Sequence, residues 1–375
     1  MKFSVLSSDL SKALAKIIGL VPTKSSLPIL ENVLFELTGN DLRMTASDLE
    51  ITMRVNLPVN GMRDGVVAVP AKKLNETLRA LPSTDVTVQA DAGGSRLQLK
   101  TDIGEYRMAA ASAGNYPEIE EVVEQFSLTM SGALLRTIVS TTVFAVSTDD
   151  LRPSMMGVLF QWRDGEFRAV ATDGHRLVRV THSGEIARLS GEEEREVIIP
   201  AKALNLLLRS LDSGEVSILF GKTNVRFSFA DLQLTSRIID ERYPNYESVI
   251  PLENDRHLTV NRPALLAAVH RCSIFSNAVT NQVRFSIAPD SVRVFAEDID
   301  FGGEARESLP ATFTSEEELD VGYNARYISD ALSHLESDEV TFSFSAPSRA
   351  SLLRPHPQPE DLDILMLVMP LRLNA

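Results

Sequence analysis

The chain has 375 residues, a formal net charge of −14 and a hydrophobic share of 44%, too long for one ordinary core and typical of two or three globular domains. No apolar run is long enough to cross a bilayer as a helix, and "MKFSVLSSDLSKAL" has no hydrophobic stretch after its lysine, so neither membrane anchorage nor a secretory signal is read. The single cysteine, Cys272, excludes an intramolecular disulfide and a multi-cysteine zinc site and reads as a small buried hydrophobe in a cytoplasmic protein.

In chain order, "SSDLSKALAKII" predicts a helix over 8–18, and "VLFELTGNDLRMTA" (33–46) reads as two period-2 strands joined by a turn. "ASDLEITMRV" (46–55) follows, then "VAVPAKKLNETLRAL" (67–81), a strand leading through a proline into a helix over 71–81, and then "NYPEI" (115–119). The same order recurs. A helix over 131–142 ("SGALLRTIVSTT") precedes "VLFQWRDGEFRAVA" (158–171), "ATDGHRLVRV" (171–180), "VIIPAKALNLLLRSL" with a helix over 201–211, and "RYPNYESVI" (242–250). A third copy runs from a helix over 262–274 ("RPALLAAVHRCSI") through "VRFSIAPDSVRVFA" (283–296) and "AEDIDFGGEA" (296–305) to "DVGYNARYISDALSHL", with a helix over 324–335. Ala46, Ala171 and Ala296 are spaced 125 residues apart, and each precedes an acid by two places: Asp48, Asp173 and Asp298. Near the end, "RPHPQPEDLD" (354–363) reads as a mobile loop before the last strand. The expectation is an α+β fold of three repeated domains, 1–122, 123–252 and 253–375, with mainly antiparallel sheets and helices packed on one face.

Charge is distributed unevenly. The six predicted helices hold eleven basic residues, Lys12, Lys16, Lys72, Lys73, Arg79, Arg136, Lys202, Arg209, Arg262, Arg271 and Arg326, against three acids, Asp9, Glu76 and Asp330. Their balance of +8 within a total of −14 leaves −22 for the remainder. Lys and Arg are good helix formers, but so is Glu, so propensity alone does not explain the bias. Cationic helices on an acidic body attract polyphosphate at one face and repel it elsewhere. Six helices side by side, each about 10 Å across, enclose a hole of only about 9 Å, whereas twelve enclose about 28 Å. A duplex passes only the larger, so a ring around DNA needs two chains.

"ATDGHRLVRV" places Asp173, Gly174, His175 and Arg176 side by side. The residues alone leave open an enzyme with His175 as general base, or an interaction scaffold that binds no nucleic acid. A catalytic role needs an orienting partner and a nucleophile or metal. No P-loop, dinucleotide fingerprint or metal-spaced His/Cys cluster appears in the sequence, so no cofactor or metal is expected.

The threefold repeat, "LPIL" (27–30), "ATDGHRL" (171–177), "VIIPAK" (197–202) and "LVMPLRL" (367–373) together resemble the bacterial DNA polymerase III beta subunit, the sliding clamp, over essentially the whole chain. The resemblance implies a clamp-type fold in a head-to-tail homodimeric ring of six similar domains, helices inside and sheets outside. Such a ring slides on double-stranded DNA, tethers the polymerase alpha subunit, is opened by a clamp loader, serves other replication and repair proteins, and hydrolyses nothing. It implies a peptide pocket at Met155, Thr172, Gly174, His175, Arg176, Leu177, Pro244, Val249, Val368, Met369, Pro370, Leu371, Arg372 and Leu373, which takes motifs with leucine and aromatic anchors. His175 and Arg176 would give polar contacts at its rim. DNA contacts are implied at Lys24, Lys72, Asp149, Pro153 and Ser154, the last three lacking the charge that grips phosphate. Ring closure is implied to set Tyr106 and Met108 against Ile274 and Phe275, with acids at 297–304 facing Arg96, Lys100 and Arg107. Asn374 and Ala375 extend past the family's usual end, beside the pocket.

Overall fold

A computed structural model describes all residues except 92, 119–120, 164, 185–186, 191–194, 300 and 374–375. Each predicted helix forms: α1 (Ser7–Ile17), α2 (Ala71–Ala80), α3 (Gly132–Thr142), α4 (Ala201–Ser210), α5 (Arg262–Ser273) and α6 (Ala325–Ser333). In α1 the buried positions Leu10, Ala13, Leu14 and Ile17 follow helical spacing, while Lys12 and Lys16 stay exposed. The α2 helix buries Ala71, Leu74 and Leu78 and exposes Lys72, Lys73 and Arg79. Asn side chains cap two helices: Asn261 accepts from the Ala264 amide and Asn324 from the Arg326 amide.

Two compact units emerge, and the division runs through the second repeat. The first comprises Met1–Arg136, Ile186–Glu192 and Lys202–Ile238. It holds a five-stranded sheet and a nine-stranded sheet. In the larger sheet the strand Leu232–Arg237 pairs antiparallel with Ile51–Pro58, in register from Leu232 opposite Val55 to Ser236 opposite Ile51. Strands of the first and second repeats therefore share one hydrogen-bonded sheet.

The second unit comprises Thr137–Glu185, Glu193–Ala201 and Ile239–Ala375, and its strands form one sheet of twelve. Here Arg176–His182 pairs antiparallel with Leu362–Val368, from Arg176 opposite Val368 to His182 opposite Leu362. Its α5 packs on α6 and on the strands Ser291–Asp298 and Gly303–Phe313. Buried Cys272 lies on that face, and burial pushes its thiol pKa up.

One expectation needs correction. Only half of residues 354–363 is a loop: Ser351–His356 and Leu362–Val368 are strands, and 357–361 connect them. The prolines misled. Pro355 sits opposite Val340 in one ladder, while pairing with the last strand covers only Ser351 to Leu353, so Pro355 has a strand partner on one side only.

Candidate functional site

The stretch 172–176 folds as a tight turn fixed by its own side chains. Asp173 Oδ1 accepts the amides of His175 at 2.9 Å and Arg176 at 3.0 Å, and the Thr172 hydroxyl donates to the Arg176 carbonyl at 2.7 Å. Gly174 has φ of +90°, a region glycine enters without a Cβ penalty. The Arg176 side chain, only 12% exposed, is held from all sides. Its Nε donates to Asp173 Oδ2 at 3.0 Å, one terminal nitrogen to Asp330 Oδ2 at 2.5 Å and the other to the Phe144 carbonyl at 2.8 Å. The guanidinium also lies 4.9 Å from the Tyr327 ring centroid and 5.2 Å from that of Phe144. Burial first, and the Asp173 carboxylate second, raise the Tyr327 phenol pKa.

Arg176 is thus no loose rim group; it fastens the turn to α6. His175 is exposed and stacks on Tyr327, with centroids 6.1 Å apart. Among the described residues no group of three His, Cys, Asp or Glu could hold a metal ion.

Beside the turn lies a cavity of about 540 Å³. Met155, Thr172, Gly174, His175, Arg176, Leu177, Pro244, Val249 and Met369 line it. Below it is a buried cluster that includes Leu177, Tyr243, Tyr246, Leu365 and Leu367. The Tyr243 hydroxyl donates to the Val170 carbonyl at 3.3 Å, and burial raises that phenol's pKa, keeping it a neutral donor. The Met369 amide donates to the His175 carbonyl at 2.9 Å, which carries the end of the last strand to the turn.

Five positions expected in this lining are elsewhere. Val368 is 1% exposed within the sheet and Pro370, Leu371 and Arg372 do not line the cavity. Leu371 instead forms a bridge with Gly322, its amide donating to that carbonyl at 2.8 Å. Leu373 lines a different cavity, with Arg284, Phe295 and Ile299. Asn374 and Ala375 lie outside the described residues. The sequence reading missed Phe144, Tyr327 and Asp330, which hold Arg176, and the Ser348–Ala350 wall.

The other expected residues divide similarly. Lys24 and Lys72 are exposed and make no ion pair among the described residues, whereas the Asp149 carboxylate accepts from Arg152 Nε at 2.9 Å. That bond and the Leu151 amide hold Asp149 below the usual carboxylate range. Pro153 is exposed and Ser154 half-buried in the 3₁₀ turn that follows. Of the eleven helix cations, five have partners. Lys16 pairs with Asp231, Lys202 with Asp48 and Arg271 with Glu307, while Arg136 and Arg262 donate to backbone carbonyls. Lys12, Lys72, Lys73, Arg79, Arg209 and Arg326 are exposed without a partner among the described residues.

Ile274 and Phe275 are 70% and 44% exposed, and the apolar Ile299 and Phe301 are exposed as well. Tyr106 is half-buried. Met108 is 4% exposed and packed inside its own unit, opposite Leu97, so its side chain is not offered to a partner.

Chains of this architecture are known. A sliding clamp (DNA polymerase III subunit beta) from Pseudomonas aeruginosa bound to griselimycin matches with a TM-score of 0.93 and 27% identity over 100% of both chains. One from Bartonella birtlesii, also bound to griselimycin, matches with a TM-score of 0.93 and 31% identity over the same full coverage. The fold defines a DNA sliding clamp, built of three clamp domains.

Family models for the DNA polymerase III beta subunit match its N-terminal domain at residues 1–120, its central domain at 129–245 and its C-terminal domain at 247–372. The beta sliding clamp of Vibrio cholerae is 31% identical over 100% of both chains, and that of Escherichia coli K12 is 31% identical over 91% of this chain and 92% of its own. The chain belongs to the DNA polymerase III beta subunit family, and its function is that of a processivity clamp, which is not an enzyme.

Proposed function

We propose that two copies of this chain close head-to-tail around double-stranded DNA and hold the replicative polymerase to it. The supporting observation is the set of six unpartnered, exposed cations on helix faces of a chain whose net charge is −14. Contact with phosphate through such groups is independent of base sequence, and it permits sliding. Lys24 and Lys72 belong with this set; Asp149, already paired with Arg152, contributes no positive charge. Ring closure uses the apolar patch of Ile274 and Phe275, extended by Ile299 and Phe301, against the Tyr106 strand of a second copy. The three repeats act as domains 1–122, 123–252 and 253–375, in a cytoplasmic protein.

The cavity beside the His175 turn takes the leucine and aromatic anchors of short peptide segments, from the polymerase alpha subunit, the clamp loader and other replication and repair proteins. Its Met and Leu lining adapts to different side chains. The test of the ring is topological. Protein loaded on closed circular DNA should stay bound through gel filtration and be released when the circle is cut once. Equal retention on circular and linear DNA would refute encirclement.

A further inference from the structure

The cavity wall has a charge pattern that apolar anchoring does not explain. None of its eighteen lining residues is Asp or Glu, although the chain carries 51 acids against 37 Lys and Arg. Two arginines line it. Arg176 is neutralised, its guanidinium lying between Asp173 and Asp330. Arg349 is exposed and makes no ion pair among the described residues. The nearest acid in sequence to the opposite wall, Glu247, turns its carboxylate to Arg168 at 3.2 Å. His175, also in the wall, stacks on Tyr327.

Arg349 is also well placed. It sits in the turn between the strands Glu339–Phe344 and Ser351–His356, where its amide donates to the Ala346 carbonyl at 3.0 Å. The next residue, Ala350, packs on the buried cluster under the cavity. Its carbonyl accepts from the Asn254 side chain at 3.1 Å, and the same amide group holds the Ser343 carbonyl at 2.9 Å. The base of the turn is therefore fixed, while the guanidinium has a long stem and open fork for a carboxylate.

We propose that Arg349 reads an acidic side chain in the peptides that occupy this cavity, selecting segments that carry Asp or Glu beside their apolar anchors. This rests on the cavity being a peptide site. An exposed pair of this kind has a small effect, screened by salt, so Arg349 sets preference among ligands and the apolar lining sets most of the affinity.

The experiment compares two synthetic peptides with leucine and phenylalanine anchors, one with Asp between them and the other with Asn, by calorimetry against the intact protein. The Asp peptide should bind about 3- to 5-fold tighter at low salt, the margin shrinking at high salt. Arg349→Gln should bring the ratio of the two affinities to about one, and Arg349→Glu should reverse it. Equal binding of both peptides to the unaltered protein overturns the role of Arg349 and leaves the peptide site standing. A margin that survives Arg349→Gln overturns it too, assigning the reading to another cation. Failure of both peptides to bind overturns the site itself and this inference with it.

Discussion

At residues 47–51 and 172–176 the chain makes the same turn twice. Asp48 Oδ1 accepts the amides of Glu50 and Ile51, as Asp173 Oδ1 accepts those of His175 and Arg176. The Ser47 and Thr172 hydroxyls both donate to the carbonyl four residues on, 125 positions apart in the chain. Leu49 at φ of +80° and Gly174 at φ of +90° occupy the same backbone region. Even the supports match: Tyr116 donates to the Thr45 carbonyl as Tyr243 does to Val170.

The difference is what each turn carries. Ile51 points into its own core at 2% exposure, and Asp48 meets an exposed lysine, Lys202. Arg176, at the position of Ile51, is tied to two carboxylates, a carbonyl and two rings. The backbone turn is common to both repeats; what differs is the residues mounted on it and the cavity beside the second.

The largest effect expected from breaking this contrast is at Arg176. Arg176→Ala leaves Asp173 and Asp330 facing each other uncompensated and should cost about 2–4 kcal/mol of unfolding free energy, with loss of peptide binding. The matching Asp48→Ala should cost only about 1 kcal/mol, since its lysine partner is solvated. Urea denaturation followed by fluorescence measures both; equal costs would mean the two turns differ only in appearance.

A smaller, reciprocal effect is expected at the left-handed position. Gly174→Ala should destabilise by about 1 kcal/mol, because φ is unfavourable and the new Cβ approaches an Arg152 nitrogen to 3.1 Å. Leu49→Gly, at a half-exposed leucine already in that region, should be neutral or stabilising by up to about 1 kcal/mol. Thermal melting of the pair gives the signs, and the same sign for both would contradict the backbone argument.

The smallest effect concerns Asp149, next to the second turn. Its folded pKa is lowered, chiefly by the Arg152 hydrogen bond, so its contribution to stability is present above the unfolded pKa and fades as pH falls through the folded value. Arg152→Ala should raise its NMR titration midpoint toward the ordinary carboxylate range, with little change in stability at neutral pH. A midpoint unmoved by the substitution would assign the shift to the backbone amide alone.

Much of the fold was legible because each repeat states it again. Six helices follow apolar spacing so regularly that their predicted ends lie within two residues of those observed. What the linear order hid was sharing: nothing local shows that Leu232–Arg237 extends the sheet of Ile51–Pro58, or that compact units divide the second repeat. The site was legible at the turn because Gly-His-Arg occurs in one copy only. Its supports were not, because Tyr327 and Asp330 lie on a helix about 150 residues away, with nothing in their own spacing that points to Arg176. The count of helix cations overstated free charge, since Lys16, Lys202 and Arg271 are consumed by acids that sequence places far off.

The pairing of Arg176–His182 with Leu362–Val368 sets a timetable for the nascent chain. At about 5–20 residues per second, a ribosome needs roughly 10–40 s to make the intervening stretch. Through that interval the 176–182 strand has its neighbour on one side and an open edge on the other, a template for unwanted pairing. The cavity beside the second turn therefore lacks Leu367 and Met369, two of its lining residues, until late in synthesis.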